Sequence, residues 1–235
     1  MEAPIRTPGS SEVVPEQPPL AYPAAVRALA GCVVETARLL WQRRMHLPSQ
    51  RVGMRLRFAD GTWARVYRET AVDRGTTADP CVLVVEFRLR AVRGRGHAVF
   101  RWESLLNTPL FAGFPGFVSK LWLADDERGR YRGLYEWDGP RLAENYARAL
   151  RRVLALVSVA GSIHYVVLPG LRRDALLDRP QVPDGGAVDA APWWRLTEVR
   201  RAARRTSWSS ARSGRAGLAR HVPRPEWLKA RPAVT

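Results

Sequence analysis

Glu86, Lys120, Glu136 and His164 each interrupt an alternating apolar run in the middle of this 235-residue chain. Strand side chains alternate between two faces with period two, so each run divides into an apolar side and a mixed side. Leu83, Val85, Phe87 and Leu89 leave Glu86, Arg88 and Arg90 opposite them. Phe117, Ser119, Leu121 and Leu123 leave Val118, Lys120, Trp122 and Ala124. Tyr131, Gly133, Tyr135 and Trp137 leave Arg132, Leu134 and Glu136, and Ile163, Tyr165 and Val167 leave His164, Val166 and Leu168. If the mixed sides share one pocket, His164 can serve as a general base for an acidic phenol or enol, because its ordinary pKa lies near working pH. Glu136 or Glu86 would then orient its ring. Lys120, Arg88 and Arg132 would hold an oxyanion or carboxylate, with Trp102 and Trp122 against a planar substrate. The alternative is structural: cross-strand ion pairs between these same groups, a histidine satisfied at an interface, and tryptophans, with Tyr135, Trp137 and Tyr146, packed into a core.

Other chemistries find little purchase. His46, His97, His164 and His221 lack zinc-type spacing, and Asp125-Asp126-Glu127 lacks the ligand spacing of a calcium loop. Gly94-Arg-Gly96 is a fragment of a dinucleotide fingerprint and reads as a tight turn; no phosphate-binding loop or nucleophile elbow is present. Neither a metal nor a cofactor is expected. Cys32 and Cys81 fall in apolar runs and read as buried free thiols.

The elements that position these residues follow in the order strand, helix, strand, strand, helix, strand between Cys81 and Leu168. The first helix carries Phe100, Trp102 and Leu105; the second runs from Pro140 to about Val157, with Leu142, Tyr146, Leu150, Val153 and Leu154 at helical spacing. The expected fold class is therefore α+β, a ferredoxin-like βαββαβ core with an antiparallel sheet. To it are added an N-terminal helix, an accessory β-hairpin and a basic C-terminal extension. Residues 1–20, with five prolines, read as a disordered leader. Residues 21–80 hold the helix, with Val26, Leu29, Ala30, Val33, Val34, Ala37, Leu40 and Trp41 as its buried face, and the hairpin Met54–Phe58 and Thr62–Tyr67 around Asp60-Gly61. Residues 81–170 form the core and 171–235 the extension.

Gly116-Phe-Val-Ser-Lys-Leu-Trp-Leu-Ala-Asp-Asp-Glu-Arg-Gly-Arg-Tyr-Arg-Gly-Leu-Tyr-Glu-Trp137 resembles the hairpin of the dimeric α+β barrel superfamily. It is most similar to the YdhR-like monooxygenases, relatives of the antibiotic-biosynthesis monooxygenases, over roughly residues 80–170. The resemblance implies a homodimer with facing sheets and a pocket between sheet and helices. Some members oxygenate aromatic or polyketide-like substrates without metal or flavin, and others degrade haem. No shared catalytic set carries over, and the termini and the arginine hairpin fall outside the resemblance.

Net charge is +16. Eleven basic residues against Glu198 and Glu226 lie in residues 193–235, which suits electrostatic attachment to nucleic acid or anionic membrane or simply a solvated arginine-rich tail. No secretory signal or spanning segment is legible, so a cytoplasmic location is expected. The functional expectation is a small-molecule enzyme, a cofactor-independent monooxygenase or cyclase-like catalyst. The alternative is a binding or interaction protein whose basic tail contacts nucleic acid or membrane.

Overall fold

The computed structural model describes residues 14, 16–90, 111–180 and 193–201, all within the compact unit Met1–Ala202. Three helices are described: α1 (Tyr22–Trp41), α2 (Pro140–Val157) and α3 (Arg173–Asp178). The strands are β1 (Met45–His46), β2 (Arg55–Phe58), β3 (Trp63–Val72), β4 (Pro80–Arg88), β5 (Phe117–Leu123), β6 (Arg130–Asp138), β7 (His164–Pro169) and β8 (Leu196–Arg200). They pair antiparallel in the order β7-β4-β6-β5-β3-β2-β8, with β1 also on β3. The fold is α+β, consistent with a ferredoxin-like arrangement. The expected helix around Phe100, Trp102 and Leu105 lies outside the described residues.

The sheet curls through β3. The first part of this ten-residue strand pairs with β2 and the later part with β5, with a register shift between Val66 and Arg68. Such irregularities bend a strand and increase its local twist. One face carries Cys81, Leu83, Val85, Phe117, Trp122, Tyr135, Trp137, Tyr165 and Val167 against α1, α2 and Phe111–Phe114. The other carries Val82, Val84, Leu121, Leu123, Leu134, Val166 and Leu168. The chain covers this second face itself, with Leu56, Phe58, Ala64 and Val66 of the hairpin, Leu176 and Leu177 of α3, and Leu196 of β8. Coverage on both sides explains the nearly continuous apolar run of β4, as a strand buried on both faces requires.

Two assignments of face change. A second register shift, between Phe117 and Ser119, puts Phe117, Lys120 and Trp122 together on the helix side and Ser119, Leu121 and Leu123 on the other. A shift by one residue exchanges the faces of everything beyond it. On α1 the buried residues are Ala25, Cys32, Thr36 and Leu39, whereas Val26, Val33, Val34, Leu40 and Trp41 of the expected face are exposed, Trp41 by 90%. Small side chains let α1 sit close to its neighbour: a Cβ added to Gly113 would lie 2.0 Å from the Cys32 carbonyl oxygen and 2.7 Å from the Thr36 amide nitrogen. Gly113→Ala is therefore expected to push α1 off the core and cost about 1–3 kcal/mol, read as a lowered Tm.

The end of the proline-rich leader is fixed along β7. Val14 N–H donates to the Val167 carbonyl at 3.3 Å, and Glu16 Oε1 accepts from the Tyr165 amide at 2.9 Å. Cys32 and Cys81 are buried free thiols. Burial raises both, Cys81 to about 12, with Asp79, Asp138 and Glu136 adding to the rise. Among the described residues no helix is long and apolar enough to cross a membrane.

Candidate active site around Lys120

Lys120 lies in mid-β5, paired with Thr70 of β3 on one side and Tyr135 of β6 on the other. Its side chain points into the helix-side core. There Nζ sits 3.1 Å from the centre of the Trp122 ring, 4.6 Å from that of Tyr135 and 4.7 Å from that of Phe111. Among the described residues no carboxylate reaches this amine. The charge acting on it among the described residues is the Arg68 guanidinium, itself 4.4 Å from the Trp122 ring centre. Trp122 Nε1–H donates to Thr70 Oγ1 at 3.1 Å and is fixed in orientation. Tyr146 donates its hydroxyl to that of Tyr135 at 3.2 Å, holding the second ring. Gly133 makes room for it, since a Cβ there would lie 2.5 Å from the Tyr135 ring.

The balance of energies decides the state of this amine. Removing an ammonium from water costs several kcal/mol after relaxation. Aromatic faces return on the order of 2 kcal/mol to a desolvated cation, and Arg68 repels it. Burial first, and Arg68 second, hold the Lys120 amine well below its ordinary range. The result is an amine biased toward its neutral form, walled by aromatic rings beside a guanidinium, which suits removal of a proton from a planar organic acid and stabilisation of the anion left behind.

The other expected site residues of the described chain lie away from Lys120. Glu86 and Arg132 are on the second face, in a buried network with Asp60, Asp126 and Arg130. Arg132 Nη2 lies 2.7 Å from Asp60 Oδ2 and 2.5 Å from Glu86 Oε2, and its Nη1 is 3.0 Å from Asp126 Oδ2. Arg130 meets Glu86 at 3.2 Å and Asp126 at 3.2 Å and also pairs with Asp60. Burial works to raise Asp60, but the Thr62 hydroxyl and amide and both guanidiniums outweigh it and hold the carboxyl below its usual 3.8. Glu136 is on the same face but faces Arg172, at 3.9 Å, and Arg173; burial raises its carboxyl. His164 is half exposed, with Nδ1 3.3 Å from Glu16. Arg88 is exposed at the end of β4. Trp102 lies outside the described residues. Lys120 and Trp122 are thus brought together. Glu86 and His164 are register partners across β4 and β7, but Glu86 pairs with Arg130 and Arg132 and His164 with Glu16, and Glu136 lies apart, opposite Val82.

Arg68, Thr70 and Phe111 were missed, because each becomes part of the site only through strand pairing or loop packing. Trp122, Tyr135, Trp137 and Tyr146 do form one aromatic group, with Trp137 and Tyr146 centred 4.9 Å apart. One signal in the composition pointed here. Of 38 basic residues only Lys120 and Lys229 are lysine, so the single lysine of the core stands where this chain elsewhere uses arginine. Arginine cannot give up its proton, whereas a buried lysine can.

No protein-family model matches the chain, and no curated protein does. Among solved structures it is similar to an uncharacterized ferredoxin-fold protein related to antibiotic biosynthesis monooxygenases from Listeria monocytogenes, at a TM-score of 0.34 and 14% identity. The match covers 48% of this chain and 66%, just under two thirds, of the other. Among the described residues, no group of three or more His, Cys, Asp or Glu is arranged to hold a metal ion.

Proposed function

We propose that the protein is a small-molecule enzyme of the ferredoxin-like α+β type that oxygenates an acidic, planar aromatic substrate without a cofactor, with Lys120 as its base. The supporting observation is the buried amine among three aromatic rings, with no carboxylate partner among the described residues. The neutral amine removes a proton from a CH2 group activated by a carbonyl and an adjoining ring. Arg68 faces the enolate oxygen, and the rings of Trp122, Tyr135 and Phe111 fix the substrate plane. The carbanion then reduces O2. The CH2 carbon gives up four electrons and becomes C=O, while O2 accepts four, supplying the carbonyl oxygen and one water.

The probe is anthrone in air-saturated buffer, followed by O2 uptake and by the absorbance of anthraquinone. Oxidation above the uncatalysed rate is expected from the wild type and from His164→Ala. Anthrone binding without oxidation would reduce the protein to a binding module, and equal turnover by Lys120→Met would remove the base.

The reading keeps a homodimer but moves its interface. With the second face filled by the hairpin, α3 and β8, the outer stripe of α1 is an apolar surface left exposed among the described residues. It comprises Tyr22, Val26, Val33 and Leu40 at spacings of four and seven residues that suit helix pairing, with Val34 and Trp41 beside them. Light scattering at micromolar concentration is expected to give twice the chain mass, and Val33→Glu half of that; a monomeric wild type would contradict it.

A further inference from the structure

We infer that the outer face of β8, β2 and β3 is a docking platform for single-stranded nucleic acid, separate from the Lys120 site. Strand pairing builds a grid of six side chains there. Arg200, Arg55 and Arg65 form one row, and Glu198, Arg57 and Trp63 the next. The intervening Leu56, Phe58, Ala64, Val66 and Leu196 point inward and are buried, so the alternation leaves the grid facing solvent. All four arginines are exposed. Three guanidiniums surround the Trp63 ring, those of Arg200, Arg55 and Arg57 lying 4.7, 5.3 and 5.9 Å from its centre. Glu198 is the one acid of the grid, 2.6 Å from Arg200 and 3.9 Å from Arg57. Arg55 and Arg65 have no carboxylate partner among the described residues.

Beside Trp63 an open cleft of about 690 Å³ lies between Arg55, Arg65 and the turn Asp125–Glu127. Its far rim is acidic, and Glu127 accepts from the Trp63 backbone amide at 3.0 Å. Phosphates are thereby directed to the arginine rows and away from the turn.

The chemistry of the grid selects its occupant. An indole ringed by guanidiniums offers a base a stacking surface and its flanking phosphates charge-assisted hydrogen bonds, the combination by which single strands are held without sequence readout. A duplex keeps its bases stacked on one another and cannot use the ring. A lipid surface calls for several apolar side chains beside the cations, and among the described residues of the grid Trp63 is the only one.

The test uses the full-length protein and a fluorescein-labelled 12-nucleotide oligouridylate, with anisotropy read over a range of salt concentrations. Binding is expected to weaken at least tenfold in Trp63→Ala and to survive in Trp63→Phe, which keeps a ring and guards against misfolding. Arg55→Gln and Arg65→Gln should each lower the slope of log affinity against log salt by about 0.7. Binding by Trp63→Ala equal to wild type would assign the interaction to residues 202–235 and overturn the platform. Equal competition by a duplex of the same length would do so as well. Binding to phosphatidylserine vesicles without binding to the oligonucleotide would make the face a membrane contact.

Discussion

Lys120→Met is expected to lower anthrone oxidation by roughly 10²–10⁴-fold, the usual worth of a positioned general base, while raising the stability of the protein at neutral pH. The two effects have one cause. In the unfolded chain the Lys120 amine is protonated up to about its ordinary 10.5; in the folded chain burial and Arg68 depress it, so folding works against its protonation below that pH. The unfolded state binds more protons through this window, and the contribution of Lys120 to stability therefore rises with pH and falls as pH drops below 10.5. Methionine fills a similar volume and has nothing to desolvate. The variant should gain at least about 1 kcal/mol at pH 7, roughly 2–4 °C in Tm for a chain of this size, and the gain should vanish above pH 10.5. Lys120→Arg distinguishes a base from a fixed charge: it keeps the cation but cannot accept a proton, so oxidation should stay low. A Tm that falls in Lys120→Met at every pH would mean that the amine is a structural cation held by its rings.

The largest loss of stability is expected from Arg132→Met. Arg132 is one of two guanidiniums set among the carboxylates of Asp60, Glu86 and Asp126, and it also stacks 4.2 Å from the Phe58 ring centre, where the hairpin closes over the second face. Removing one partner from a buried ion network leaves uncompensated charge and costs about 3–5 kcal/mol, or on the order of 10 °C in Tm. The pH dependence carries a signature. In the wild type Asp60 is held below 3.8, so its contribution is full above that value and is lost as pH falls through the depressed one. Without Arg132 the Asp60 carboxyl protonates more readily, and the deficit should shrink as pH drops from 7 toward 4. Adding Glu86→Gln to Arg132→Met should recover part of the loss. A deficit independent of pH would locate the effect in packing against Phe58 alone.

Local pattern and long-range packing contributed unequally to what was legible. The period-two alternation of β4, β6 and β7 and the helix Pro140–Val157 are carried by neighbouring residues, and their elements stand where the sequence places them. The register shift at Phe117–Ser119 leaves no mark in alternation, because an extra strand residue preserves the composition on both sides of it. It nevertheless moved Lys120 and Trp122 to the helix side and separated them from Glu86 and Glu136. The burial of the second face was equally hidden: it depends on β3 passing from one part of the sheet to the other and on α3 and β8 returning from the C-terminal side. On α1, buried Ala25, Cys32 and Thr36 are too small or polar to outweigh exposed Val26, Val34 and Trp41 in a hydrophobicity pattern. The scarcity of lysine was readable from the start, and it marks the residue on which the function proposed here depends.

The protonation state of Lys120 is directly observable, because the chain contains only one other lysine. With 13C,15N-lysine incorporated, Lys120 and Lys229 give two side-chain signals, assigned through Lys229→Arg and followed from pH 5 to 11. The Lys120 signal is expected to titrate well below the ordinary lysine value, with Lys120 an uncharged amine at pH 7. Two signals titrating together near 10.5 would contradict the proposed base.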